Sequence, residues 1–153
     1  MDYLMFSLLF TGLHLFSYVA AGSISLQLSG DLYRGENRLL DFMRDMSENS
    51  DSIHVKRYFM LVQIPRGLIM SVVLYPLLGV LGDLGVLQRF LFFAGIMFFY
   101  TDFACSVPFP HNIEGFVYIK EKYLRKDLVW KLYIETAVYS ILFGILASRI
   151  LLQ

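Results

Sequence analysis

The residues best placed to do chemistry are three charges set inside long apolar stretches: Arg66, Asp102 and Glu135. An ionised side chain at membrane depth is costly, and it faces a partner, a bundle interior or a water-filled cavity. Arg66 lies about 13 Å of helical rise beyond Arg57, the charge that precedes it. Asp102 stands near the end of its apolar stretch and Glu135 near the start of its own. On the same rise, the three depths agree to within about 6 Å. One cation and two carboxylates at matched depth can converge on a single site, with Arg66 anchoring an anion and a carboxylate carrying a proton. Membrane ion pairs also serve only to fix helix register, and the sequence leaves both readings open.

Other residues join the candidate set. Pro65 removes the backbone donor to the Leu61 carbonyl and predicts a kink beside Arg66. Gln63 opens a face that continues through Gly67, Ser71 and Tyr75. His14, midway along the first apolar stretch, shares a face with Ser17 and Ala21 and reads as a neutral histidine bonded to a neighbouring helix. His14 and Gln63 therefore complete a ligand-binding set with Arg66, Asp102 and Glu135. His111 and Glu114 are three apart, as metal ligands on one helical turn can be. Even with Asp102 they fall short of a full ligand set, so neither a metal nor any other cofactor is predicted.

Several chemistries are excluded outright. The single cysteine, Cys105, rules out an internal disulfide, a CxxC redox pair and a four-cysteine zinc site. The chain has no Walker loop, no G-x-S-x-G elbow and no H-E-x-x-H zinc motif. Lys+Arg and Asp+Glu balance at 13 each, so no net basic field points to nucleic acid.

Positioning the candidates falls to four apolar segments, predicted as membrane spans over 3–29, 58–82, 87–107 and 129–150 of one transmembrane domain, 1–153. Tyr3 to Ser29 holds no Asp, Glu, Lys or Arg, and the stretches Tyr58–Gly82, Phe90–Val107 and Leu132–Arg149 hold at most two each. About 20 predominantly apolar residues cross a bilayer. The first run lacks a positive n-region and exceeds the usual 7–15 apolar residues of a signal peptide, so it reads as a span. Three segments carry small or polar residues at every fourth position: Ser17, Ala21, Ser25 and Ser29; Gln63, Gly67 and Ser71; Thr136, Ser140, Gly144 and Ser148. Such faces let helices approach closely where lipid supplies no hydrophobic drive. On the third segment Gly95, Asp102 and Ser106 form the corresponding side, leaving Phe92, Phe93, Phe98 and Phe103 for lipid or neighbours.

Basic residues set the expected sidedness. Arg34, Arg38, Arg44, Lys56 and Arg57 follow the first segment, and Lys120, Lys122, Arg125, Lys126 and Lys131 lie in or beside the third loop. Both loops should be cytoplasmic and both termini non-cytoplasmic. In the first loop, Leu32, Leu39, Leu40, Met43 and Met46 recur among charges from Asp31 to Met46, which predicts an amphipathic interfacial helix.

The sequence thus predicts an all-α, polytopic four-helix bundle among membrane lipids, with a homodimer or larger membrane complex left open. It is expected to bind or transport a small solute, lipid headgroup or proton through the Arg/Asp/Glu cluster. Two alternatives stand beside this: an accessory subunit of a larger membrane complex, and an enzyme acting on lipid at the cytoplasmic interface through Asp102, His111, Glu114 and Glu135. No catalytic signature names a reaction.

Overall fold

A computed structural model of the chain describes residues 2–152, and among these it is all helical. Helix α1 (Tyr3–Leu28) starts where the Asp2 carboxylate accepts the Met5 amide at 2.7 Å, satisfying an otherwise orphan donor. A short turn of helix, α2 (Gly30–Tyr33), leads into an irregular loop. Helix α3 (Asn49–Val73) is followed by a tight turn at Tyr75–Leu77 and by α4 (Leu78–Asp83). Helix α5 (Val86–Gly95) continues as a π-wound segment, Ile96–Phe103. The last elements are the short α6 (Gly115–Tyr118) and the long α7 (Lys126–Ile150). Three helices, α1, Val86–Phe103 and α7, are long and apolar enough to cross a membrane; α3 and α4 make a fourth if the pair, bent by 43°, is one span.

The long helices pack as a row, α3 on α1, α1 on α7 and α7 on α5. The small-residue faces are the seams. Gln63, Gly67 and Ser71 are the buried residues of α3. A Cβ on Gly67 would sit 3.0 Å from Thr11 Cγ2, so the α1–α3 crossing depends on the missing side chain. A Cβ on Gly144 would sit 2.8 Å from that of Ala94. Around these seams Phe10, Phe93 and Phe143 are fully buried, with Phe143 meeting Phe10 at 5.0 Å and Phe93 at 6.1 Å between ring centroids. One ring thereby ties three spans together.

Both long loops lie at one end of the row. Leu32, Leu39 and Leu40 form a second core with Leu128, Val129 and Leu132 at the start of α7. Lys131 bonds Asp31 at 2.6 Å, and Asp41 accepts from both Lys122 and Tyr123. At the other end Tyr3 stacks on Tyr75. There the Arg89 guanidinium donates to the carbonyls of Leu81, Gly82 and Leu152, filling acceptors that helix ends leave open.

Four expectations need correction. The helix predicted over Asp31–Met46 is reduced to Gly30–Tyr33. Gly35 adopts φ +83°, a left-handed conformation that ends the helix. The Asp45 carboxylate then collects the Gly35 and Ser47 amides, while Arg38 donates to the carbonyls of Gly35, Asp41 and Met43. Helix α3 starts at Asn49, ahead of the span predicted from 58, and it runs unbroken through Pro65, so the sharp bend falls after Val73 and not beside Arg66. The third ends at Phe103, short of 107. Its close-packing residue is Ala94 instead of Gly95, while Phe93 is fully buried against the neighbouring spans.

Two outcomes test this packing. Gly144→Ala should destabilise the protein in detergent by about 1 kcal/mol or more through overpacking against Ala94. Gly12→Ala, with open space around it, should be neutral or gain up to about 1 kcal/mol from helix propensity. Reversible denaturation of both variants checks this; equal effects would remove the α5–α7 seam. The Asp41 carboxylate is held below its usual range by the Tyr123 and Lys122 hydrogen bonds. A depressed native pKa gives stability that is present above the unfolded value, about 3.9, and is lost as pH falls through the native one. Amide exchange in 34–47 should therefore rise in acid, and Asp41→Asn should show that rise already at neutral pH.

Candidate functional site

The row leaves α3 and the third span without extensive contact, and a cavity of about 260 Å³ lies between them. Helices α1 and α7 floor it, while Tyr33, Met43 and Phe109 close the loop end. Arg66, Asp102 and Glu135, drawn from three separate apolar stretches, all line it.

They converge without pairing. Among the described residues Arg66 makes no ion pair within 4.0 Å. Its guanidinium stands 5.7 Å from the Tyr18 ring centroid, in cation–π range, and the residue is exposed at the cavity rim. Glu135 accepts from the Tyr33 hydroxyl at 3.0 Å. Burial, and then the Glu135 charge, push the Tyr33 phenol well above its ordinary pKa, so it stays a donor. Asp102 bonds His111 Nε2 at 2.7 Å, and His111 is only 4% exposed. Each charge is thus held by its own neutral or aromatic neighbour.

The π winding explains how Asp102 reaches the cavity. At about 100° per residue an α-helix would set Met97 and Asp102 about 140° apart. With i→i+5 hydrogen bonds, as Ala104 N to Phe99 O at 2.7 Å, the two residues share a side, and both line the cavity with Thr101. His111 is delivered by a loop locked on Asn112, which is 1% exposed. The Asn112 amide oxygen accepts from the Phe109 and Gly115 amides, and its nitrogen donates to the Val107 carbonyl at 2.7 Å. Gly115 permits this loop, since a Cβ there would lie 1.8 Å from the Phe109 carbonyl oxygen.

His14 and Gln63 do not reach the cavity wall. His14 is fully buried, with Nε2 bonded to Gln63 Oε1 at 3.0 Å and Nδ1 to the Tyr139 hydroxyl at 2.7 Å. With the amide oxygen facing it, Nε2 carries the proton, so Nδ1 accepts from Tyr139. The pair supports the floor by holding Tyr139, which does line the cavity. Glu114 precedes α6 and is not part of the lining. Among the described residues no three of His, Cys, Asp and Glu are grouped to hold a metal ion. The lipid-enzyme reading therefore keeps Asp102, His111 and Glu135 together but loses Glu114.

Tyr18, Tyr139 and Asn112 were not singled out from the sequence, and Tyr33 reads from it only as an aromatic at the cytoplasmic interface. Tyr18 and Tyr139 stand four residues after His14 and Glu135, so helical spacing alone puts each beside a candidate. Tyr33 and Asn112 carry no such signal, because loop geometry places them. Comparison with known protein families, known proteins and solved structures gives no match to this chain.

Asn112→Ala should leave the Phe109 and Gly115 amides without their acceptor and cost about 1–3 kcal/mol. It should also release His111 from Asp102, visible as a changed His111 imidazole NMR signal with the α1 and α7 signals unmoved. An unchanged imidazole would show that the loop is held by other means.

Proposed function

We propose that this is a multi-pass membrane protein that binds a small ligand through an anionic group in the cavity, with Arg66 as the anchor. The second span in this reading is α3 with α4, and the two loops rich in Lys and Arg are cytoplasmic, as basic residues favour. Both chain ends then lie on the other side, together with the Gly85 turn. Transport follows as a further step if the ligand leaves by a different route from the one it enters.

The observation that carries the reading is Arg66 itself. A cation near the bilayer centre costs about 2.5–3.5 kcal/mol on insertion scales. Two carboxylates line the same cavity, yet neither pairs with it. A ligand anion would supply the missing partner at a site already shaped by Tyr18.

One feature supports an accessory-subunit reading as well. Helix α3 buries Gln63, Gly67 and Ser71 against α1 and leaves its outer apolar residues, among them Leu61, Val62, Ile69 and Val73, exposed. A partner helix would fit there. Extraction in mild detergent separates the two: stoichiometric foreign polypeptides favour the subunit, and a clean monomer or homodimer counts against it.

The direct test is native mass spectrometry of the protein gently extracted from its own membrane. A discrete small-molecule or lipid adduct is expected, lost in Arg66→Gln together with any thermal stabilisation it confers. An adduct retained by Arg66→Gln would remove this residue from the site.

A further inference from the structure

Resting on that reading, we infer that the ligand is a zwitterion, whose anionic group meets Arg66 and whose ammonium meets Asp102 and Glu135. Opposite charges sharing a low-dielectric cavity attract strongly, yet Arg66 is drawn to the Tyr18 face while Glu135 is tied to Tyr33 and Asp102 to His111. The cavity is therefore dipolar, with fixed poles on different helices.

That arrangement discriminates by charge. A simple anion satisfies Arg66 but faces two carboxylates. A simple cation satisfies the carboxylates but faces Arg66, and a neutral molecule leaves both poles unserved. A zwitterion of matching polarity satisfies both at once. The rings of Tyr18, Tyr33, Phe109 and Tyr139 also line the space, and aromatic faces attract ammonium groups.

Size and access narrow the source. About 260 Å³ lies below the usual range of roughly 300–1,000 Å³ for small-molecule sites, so it suits a headgroup and not a whole lipid. The loops close one end, whereas α3 and the third span are not packed together, which leaves a lateral side for acyl chains. The shared chemistry is a phosphate or carboxylate joined to an amine. An aminophospholipid headgroup and a free soluble zwitterion both carry it.

The test titrates delipidated protein with phosphatidylethanolamine, with phosphatidylglycerol of the same acyl chains and with soluble O-phosphoethanolamine, reading adducts by native mass spectrometry. Phosphatidylethanolamine should bind about tenfold more tightly than phosphatidylglycerol, the scale of one desolvated charge contact. Arg66→Gln should weaken both lipids, whereas Asp102→Asn should remove only the preference. Glu135→Gln serves the same purpose should Asp102→Asn unfold. Equal binding of both lipids, lost in Arg66→Gln, would overturn the zwitterion and keep the anion site. Binding indifferent to Arg66 would overturn both. O-phosphoethanolamine binding with the same dependence on Arg66 and Asp102, without lipid binding, would support the zwitterion and assign it a water-soluble source.

Discussion

His14 sits at the middle of the row and bonds in both directions, through Nε2 to Gln63 on α3 and through Nδ1 to Tyr139 on α7. In lipid, apolar helix faces gain nothing by leaving hydrocarbon for one another, so close fit and interhelical hydrogen bonds carry the assembly. With its ring fully buried, His14 is where those two contributions meet. Gly67 lets α3 close on Thr11 one turn from Gln63, and Phe143 follows Tyr139 by one turn of α7. The cavity floor inherits its position from this node, because Tyr139 is both a partner of His14 and a lining residue.

Much of this was legible because spacing in a long helix survives folding. Ser17, Ala21 and Ser25, like Gln63, Gly67 and Ser71, recur every fourth residue, and the same residues are buried. Rise per residue was enough to set Arg66, Asp102 and Glu135 at similar heights, but the side that Asp102 faces depends on the π winding. What failed to read was whatever depended on a departure from the α-helix. Gly95 and Asp102 look aligned at α spacing, but the chain changes winding at Ile96, so Ala94 takes the seam and Met97 joins Asp102 at the cavity. The first loop misled for a related reason. Its leucines are apolar because they cover α7, and one positive φ at Gly35 lets Leu39 and Leu40 do so without a helix.

Desolvation favours a partner for each of the three charges, and the two carboxylates find theirs without Arg66. Tyr33 takes Glu135 and His111 takes Asp102, whereas Arg66 has the Tyr18 ring but no counter-anion. None of these contacts joins a carboxylate to Arg66. A hydrogen bond to a charged group contributes about 1.5–3 kcal/mol, comparable to the insertion cost of one ion. The two carboxylates can therefore be tolerated individually, and pairing with Arg66 is not forced.

Tolerance of separated charges has a geometric condition, which ties the site to the shape of the row. If α3 closed on the third span, Arg66 would come within reach of Asp102 and the two would collapse into a pair. The loop end holds α3 at Asp51, which accepts from the Arg44 guanidinium at 2.7 Å and from the Asp45 amide at 3.0 Å. Asp31 and Asp41 anchor the first loop to Lys131, Lys122 and Tyr123, and Tyr33 and Met43 then project over the cavity. Asn112 fixes the opposite wall by holding the loop that carries Phe109 and His111. The ion pairs at the loop end are exposed and individually weak, but they act with an apolar core of six buried residues, from Leu32 to Leu132. A packed cap of this kind keeps two helices apart at one end while His14 holds the floor, and a cavity with separated poles is the space that remains.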